Sequence, residues 1–325
     1  MEFKALGRTG VKVSSLCLGT MSFGGDADPA EAARIYGACR DAGINFFDCA
    51  DAYGKGRAEE ILGGLIAGER DRLVITSKCF MALSDDINAK GASRRYISRA
   101  VEASLRRLKT DRLEVLFMHR FDPSTPLEET LRALEDLQRA GKVLHCGASN
   151  YAAWQIAKGL GIAERRGWGR FEVIQPMYNL VKRQAEAEIF PLAEAENLAV
   201  ITYSPLGGGL LSGKYGPDTR PEAGRIVTNK EYALRYGEDW AFQTAGAFTA
   251  FAAARQLNPV SLAVAWAAAH PAVTSPIIGA RSLAQLRPSL GAVEIEMTAE
   301  LRAEISALSR SPPPATDRLE EQVQT

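Results

Sequence analysis

The chain has 325 residues, with 39 Lys and Arg against 39 Asp and Glu, so its formal charge is zero and it carries no basic footprint for nucleic acid or an anionic membrane surface. The opening MEFKALGRTG has no apolar stretch behind a basic head, and no run approaches the roughly 18 apolar residues of a membrane span. A cytoplasmic protein with a small-molecule partner, and with no nucleic acid or membrane partner, is expected; nothing in the composition sets its oligomeric state.

Residues 3–12, with Gly7-Arg8-Thr9-Gly10 in the middle, read as a short hairpin placed to plug a barrel floor. Apolar strand-like runs follow at 13–19, 45–49, 73–79, 113–119, 143–150, 171–178, 199–205 and 274–279. Between them, stretches such as 29–42, 94–108, 126–140 and 183–196 carry apolar residues at helical spacing, and Gly43 and Gly141 stand where helix C-caps end. Alternating strands and helices predict a parallel sheet with helices outside it, and eight strands fit a closed (β/α)8 TIM barrel, an α/β fold in a single domain over residues 1–325. The stretch 207–240 is glycine-rich, then charged, and long for a loop inside a compact domain, so it reads as a cofactor clasp or lid. Extra C-terminal helices are expected at 284–292 and 299–309, and the segment 311–325, with Pro312-Pro313-Pro314, as an extended or mobile tail.

Four polar side chains stand at the ends of three successive strand runs: Asp48 and Tyr53, Lys78, and His119. The carboxyl ends of barrel strands line one mouth, where such folds keep their chemistry. A phenol with an ordinary pKa near 10 makes a poor proton donor at neutrality, and an adjacent ammonium lowers it. Lys78 is that ammonium, Asp48 its counter-ion, and His119 helps to hold a carbonyl oxygen; the set suits an acid catalyst for carbonyl reduction. Taken singly, Asp48 also suits a helix cap and Lys78 a surface charge. Cys49 falls on the opposite strand face from Asp48 and reads as packing. His145 and His270 read as core residues, and the five cysteines (Cys17, Cys39, Cys49, Cys79, Cys146), without a CxxC pair, as reduced core thiols. No histidine pair has metal-ligand spacing, so no metal site is expected.

With these residues in place, the chain resembles the aldo-keto reductase superfamily over about residues 6–308. The opening LGRTGVKVSSLCLGTMSFG, then NFFDCADAYG (45–54), ITSK (75–78), MHR (118–120), GKVLHCGASN (141–150), IQPMYN (174–179) and YSPLGGGLLSGKY (203–215), carry the resemblance in the family's order and spacing. It implies a (β/α)8 reductase using a nicotinamide cofactor without a Rossmann domain, NADPH/NADP+ in most members, with NADH the alternative. Carried over by position, Tyr53 matches the general acid, and Asp48, Lys78 and His119 the residues that tune it. Ser149, Asn150 and Gln175 match the nicotinamide carboxamide contacts, and Tyr203 the ring that stacks on the nicotinamide. Gly19 and Thr20 match contacts on the first barrel strand, and Ser204, Leu206, Gly208 and Lys214 the cover of the pyrophosphate. At the adenosine end the resemblance implies Gly279, Arg281, Ser282, Gln285 and Ser289, with Arg281 and Ser282 toward a 2′-phosphate, although Pro288 and Ser289 replace the usual Glu and Asn. Met21, Phe23, Arg120 and Phe121 flank the tetrad and are the substrate-pocket candidates. The family also contains ion-channel partners, so a cofactor-binding regulatory or redox-sensing subunit with low turnover is the second reading. A metal-dependent hydrolase on the same barrel lacks the histidine pairs it needs.

Overall fold

A computed structural model describes residues 1–317. Eight parallel strands close into a barrel in the order β10-β3-β4-β5-β6-β7-β8-β9. They are β3 (Cys17–Gly19), β4 (Phe46–Asp48), β5 (Val74–Cys79), β6 (Leu113–Met118), β7 (Val143–Ser149), β8 (Phe171–Gln175), β9 (Ala199–Thr202) and β10 (Ser275–Ile278). The expected (β/α)8 architecture is what the chain forms, with a hairpin, β1 (Phe3–Ala5) and β2 (Lys12–Ser14), ahead of it.

The hairpin closes the floor. Leu6 and Val13 are fully buried and pack on the inward residues Cys17, Phe46, Val74, Val115, Val173, Ala199 and Ile277. Gly7 turns there with φ +58°, and a Cβ on it would lie 2.9 Å from the Ala199 nitrogen, so neither the backbone nor the space admits a side chain. Alternation makes β4 and β5 apolar at the floor and polar at the mouth: Phe46 leads to Asp48, and Val74 to Thr76 and Lys78. The larger apolar cluster fills the layer between sheet and helices.

Several boundaries differ from expectation for local reasons. The run 13–19 splits between β2 and β3 around Ser14–Leu16: the Ser14 hydroxyl donates to the Leu16 carbonyl, and the Ser14 amide donates to Asn45 Oδ1. The run 171–178 stops before Pro176, which has no N–H for the ladder. The run 199–205 stops at Thr202, because Ser204 takes φ 59° just before Pro205. The helix expected at 183–196 becomes a 3-10 turn, Gln184–Glu186, and a helix, Ile189–Ala195, since Pro191 is tolerated only in a first turn. Gly43 and Gly141 do end helices, with φ 85° and 70°.

The segment 207–240 is more ordered than a loop. It contains helices Arg225–Thr228 and Lys230–Tyr236 and the start of helix Asp239–Ala254, and it is anchored by the buried Ile226 and Tyr236. Helices Leu283–Leu290 and Ala299–Ser306 follow the barrel. Of the expected tail, 311–317 form no regular element, and 318–325 lie outside the described residues.

Candidate active site

β4 and β5 are adjacent, with Asp48 paired to Thr76, so the inward positions of the two strands meet at the mouth. Lys78 Nζ donates to Asp48 Oδ2 at 2.5 Å and to the Cys49 carbonyl at 2.8 Å, and reaches Tyr53 Oη at 3.4 Å. Thr76 Oγ1 and Gln175 Nε2 both donate to Asp48 Oδ1, at 2.8 and 2.9 Å. Asp48 and Lys78 are only 2% and 1% exposed, and such a buried pair persists only when its remaining hydrogen-bonding capacity is filled, as it is here. Tyr53 opens the turn Tyr53–Gly56 that follows β4, and its ring meets His119 edge-on with centroids 6.2 Å apart. The four tetrad residues therefore come together.

Their electrostatics depart from expectation at Tyr53. Burial raises the phenol more than Lys78 lowers it, and it stands at about 12, not below its ordinary value. Lys78 is weakened as a perturber because Asp48 already neutralises it at 2.5 Å. Lys78 itself is pulled down by burial, but Asp48 and the Tyr53 oxygen outweigh that and leave it above the ordinary lysine range. Burial, and then Lys78, hold His119 down to about 3, so the imidazole is neutral, and its Nδ1 has no partner among the described residues. At neutral pH the site presents a protonated phenol, an ammonium locked on a carboxylate, and a neutral imidazole.

Beside the tetrad, Ser149 Oγ donates to the Gln175 carbonyl at 3.0 Å, and Asn150 Nδ2 donates to the His119 carbonyl at 3.0 Å. Tyr203 Oη donates to Asn150 Oδ1 at 2.6 Å, which sets an aromatic ring next to amide and hydroxyl groups. Thr20 Oγ1 donates to the Asp48 carbonyl at 3.1 Å, and Gly19 pairs with Asp48 in the sheet. Farther along, Ser204 and Leu206 lead into Gly207–Gly209, where a Cβ on Gly208 would lie 2.6 Å from the Tyr232 ring. Lys214 and Arg281 are exposed. Ser282 caps helix Leu283–Leu290 by accepting from the Gln285 amide, while Gln285 Oε1 accepts from the Arg281 amide; Gly279 just precedes them. Amides and hydroxyls at one end, a flat ring beside them and exposed cations beyond fit a carboxamide, a nicotinamide ring and phosphates in turn.

Two further expected contacts are as buried as Thr20 and Ser149: Phe23 is 1% exposed within the outer core, and Ser289 is 1% exposed on the buried face of its helix with Leu286. Met21 and Arg120 remain exposed, and Phe121 is half-buried against Tyr151 and Trp154 with centroids 5.3 and 6.1 Å away. Sequence reasoning missed Thr76 as a partner of Asp48, although its two-residue spacing from Lys78 puts both on the inward face. The direct bond from Gln175 to Asp48 had no sequence signal.

The family model described as Aldo/keto reductase family matches residues 15–310. The chain belongs to that family. It is 37% identical over 319 residues to the uncharacterized oxidoreductase YrpG of Bacillus subtilis, covering 93% of this chain and 94% of that protein. It is also 37% identical to a probable voltage-gated potassium channel subunit beta of Arabidopsis thaliana, covering 91% and 92% of the two chains. Versiconal hemiacetal acetate reductase of Aspergillus parasiticus is 30% identical, with 92% and 94% covered. Membership in the aldo/keto reductase family makes the chain an oxidoreductase, with carbonyl reduction as its reaction class. No helix among the described residues is long and apolar enough to cross a membrane.

Proposed function

We propose that this chain reduces an aldehyde or ketone to an alcohol with NADPH, Tyr53 supplying the proton. The observation that carries the proposal is Tyr53 Oη 3.4 Å from an ammonium that is itself fixed on Asp48 at 2.5 Å. When bound, the nicotinamide supplies a hydride to the carbonyl carbon. Tyr53 gives its proton to the carbonyl oxygen, and Lys78 stabilises the phenolate left behind. His119, neutral, can donate a hydrogen bond to the same oxygen without competing as an acid. Asp48 keeps the ammonium in place.

Ser149, Asn150 and Gln175 would hold the carboxamide and Tyr203 the ring face; Gly19 and Thr20 line the first strand, and Ser204, Leu206, Gly208 and Lys214 cover the phosphates. Gly279, Arg281, Ser282 and Gln285 stand at the adenosine end, with Arg281 toward a 2′-phosphate. Met21, Arg120 and Phe121 form the substrate rim. Residues 1–325 act as one unit, in the cytoplasm, on a small carbonyl compound and without nucleic acid or membrane.

A second reading has its own support: relatives named as potassium channel subunits, at 37% and 36% identity, make a cofactor-binding regulatory subunit with low turnover the competing function. The complete tetrad favours turnover. A panel of aldehydes and ketones assayed with NADPH and NADH separates the two, because a reductase turns over at least one of them through Tyr53. Cofactor binding without turnover of any carbonyl would support the regulatory reading instead.

A further inference from the structure

Behind the catalytic turn lies a second buried carboxyl that the reaction does not use. Asp51 is 0% exposed, follows Asp48 by three residues and precedes Tyr53 by two. Its backbone N–H donates to the Lys78 carbonyl at 3.1 Å, so it is stitched to β5 at the residue that carries the ammonium. Its Oδ1 has no partner among the described residues, and its Oδ2 lies 3.1 Å from Tyr96 Oη.

Tyr96 Oη also lies 2.8 Å from the Met81 carbonyl oxygen. A phenol has one proton to give, and a carbonyl can only accept. The shorter contact, to Met81, takes that proton. The contact between Tyr96 and Asp51 then has no hydrogen in it unless the carboxyl brings one. We propose that Asp51 is a neutral carboxylic acid that donates from Oδ2 to Tyr96 Oη, and that this bond positions the turn presenting Tyr53.

The surroundings favour that state. Glu59, from helix Arg57–Ile66, is 0% exposed and faces Asp51 as a carboxylate committed to Arg107 and to Ser77 Oγ, at 2.7 and 2.5 Å. Helix Arg94–Leu108 contributes Tyr96 and Arg107, and β5 contributes the Cys79 thiol. A charge on Asp51 would face a buried carboxylate whose cation is already engaged. Burial, and then Glu59, push Asp51 up to about 7, with Tyr96, Arg107 and the Ala52 backbone opposing. The turn itself needs external support: Gly54, Lys55 and Gly56 have φ of 57°, 54° and 93°, a left-handed run that is costly at the lysine. Ionising Asp51 leaves the phenol's single proton to serve two acceptors, so Tyr96 loses its bond either to Asp51 or to the Met81 carbonyl and the turn loses one of its ties.

The catalytic half of the proposal rests on the carbonyl-reduction reading; the protonation does not. The first experiment is infrared difference spectroscopy of wild type against Asp51→Asn. A protonated-carboxyl band is expected below about pH 7, absent from the variant and lost from the wild type as pH rises through the value that the buried site imposes. Kinetics follow with the full chain and NADPH. Asp51→Leu and Tyr96→Phe should lower kcat roughly tenfold by misplacing the acid, with little change in the KM of the carbonyl, while Asp51→Asn, which keeps a donor at the same atom, recovers most of the loss. The wild-type kcat should fall above about pH 7 and that of Asp51→Asn should not.

Absence of the band at acid pH, or an Asp51→Asn enzyme as slow as Asp51→Leu, overturns the proposal. Should Asp51→Leu fail to fold, the band and Tyr96→Phe still decide. If the wild type turns over no carbonyl, the band still tests the protonation, and only the functional reading falls.

Discussion

In the proposed reaction Tyr53 must hold a proton until hydride moves and then release it, and its surroundings divide those tasks. Burial keeps the phenol at about 12, fully protonated at neutral pH, and Lys78 at 3.4 Å stands ready for the phenolate. In the proposed reaction, Tyr53→Phe keeps the ring and removes the donor, so kcat should fall by the ~10²–10⁴-fold of a lost general acid while NADPH still binds. Near-normal turnover would remove Tyr53 from its role. Lys78→Met should also slow reduction, because it strips the phenolate of its cation and leaves Asp48 buried with only Thr76 and Gln175 for partners. With His119 at about 3 and Tyr53 at about 12, neither titrates between about pH 5 and 9, so a break in the rate profile there belongs to another group. The proposed cofactor choice rests on Arg281. If its exposed guanidinium holds a 2′-phosphate, Arg281→Ala should weaken NADPH by ~1.5–3 kcal/mol and leave NADH nearly unchanged. Equal losses for both cofactors would assign it another role.

In the proposed reaction the segment 207–240 is the element expected to retain the cofactor. Tyr232 lies against Gly208, and Arg225 reaches across to Asp26 in the turn after β3 at 3.8 Å, so the segment bridges two sides of the mouth. Both residues of that ion pair are partly solvated, and such pairs contribute little. Hydrogen exchange across 210–235 should therefore be fast in the free protein and slow with NADPH bound; equal protection in both states would argue against a clasp. This element also marks the limit of what periodicity reveals. The tetrad was legible because Asp48, Lys78 and His119 stand at the ends of apolar runs, with Tyr53 in the turn just beyond the first, and a run that closes on a polar residue is visible without a structure. Helices Asp239–Ala254 and Pro259–Ala268 were not, because they are apolar nearly all round and present no stripe. The Asp51–Tyr96 contact joins residues 45 positions apart, and no local pattern announces it.

For the molecule as a whole, two buried carboxyls on loops of the barrel mouth, after β4 and after β6, pull stability in opposite directions with pH. Asp122 accepts from the Ala92 amide at 2.9 Å, the Ser124 hydroxyl at 2.6 Å and the Thr125 hydroxyl at 2.8 Å, tying the loop after β5 to the loop after β6. Burial works to raise it, but these bonds outweigh burial and hold it at about 2, against an ordinary 3.8. A depressed acid stabilises the fold above its unfolded value and loses that contribution as pH falls through the folded one, so the loss runs from about pH 4 down to about 2. Asp51, raised to about 7, has the opposite sign: its contribution is complete below about pH 4 and is lost as pH rises to about 7. Asp122→Asn should therefore cost on the order of 2 kcal/mol at neutral pH and almost nothing near pH 2. Asp51→Asn should raise the melting temperature at about pH 8, where the wild type must bury a charge, and leave it unchanged near pH 4. Urea or thermal unfolding of both variants at the two extremes measures this directly, and an Asp51→Asn effect of equal size at both would mean that no proton leaves Asp51 over that range.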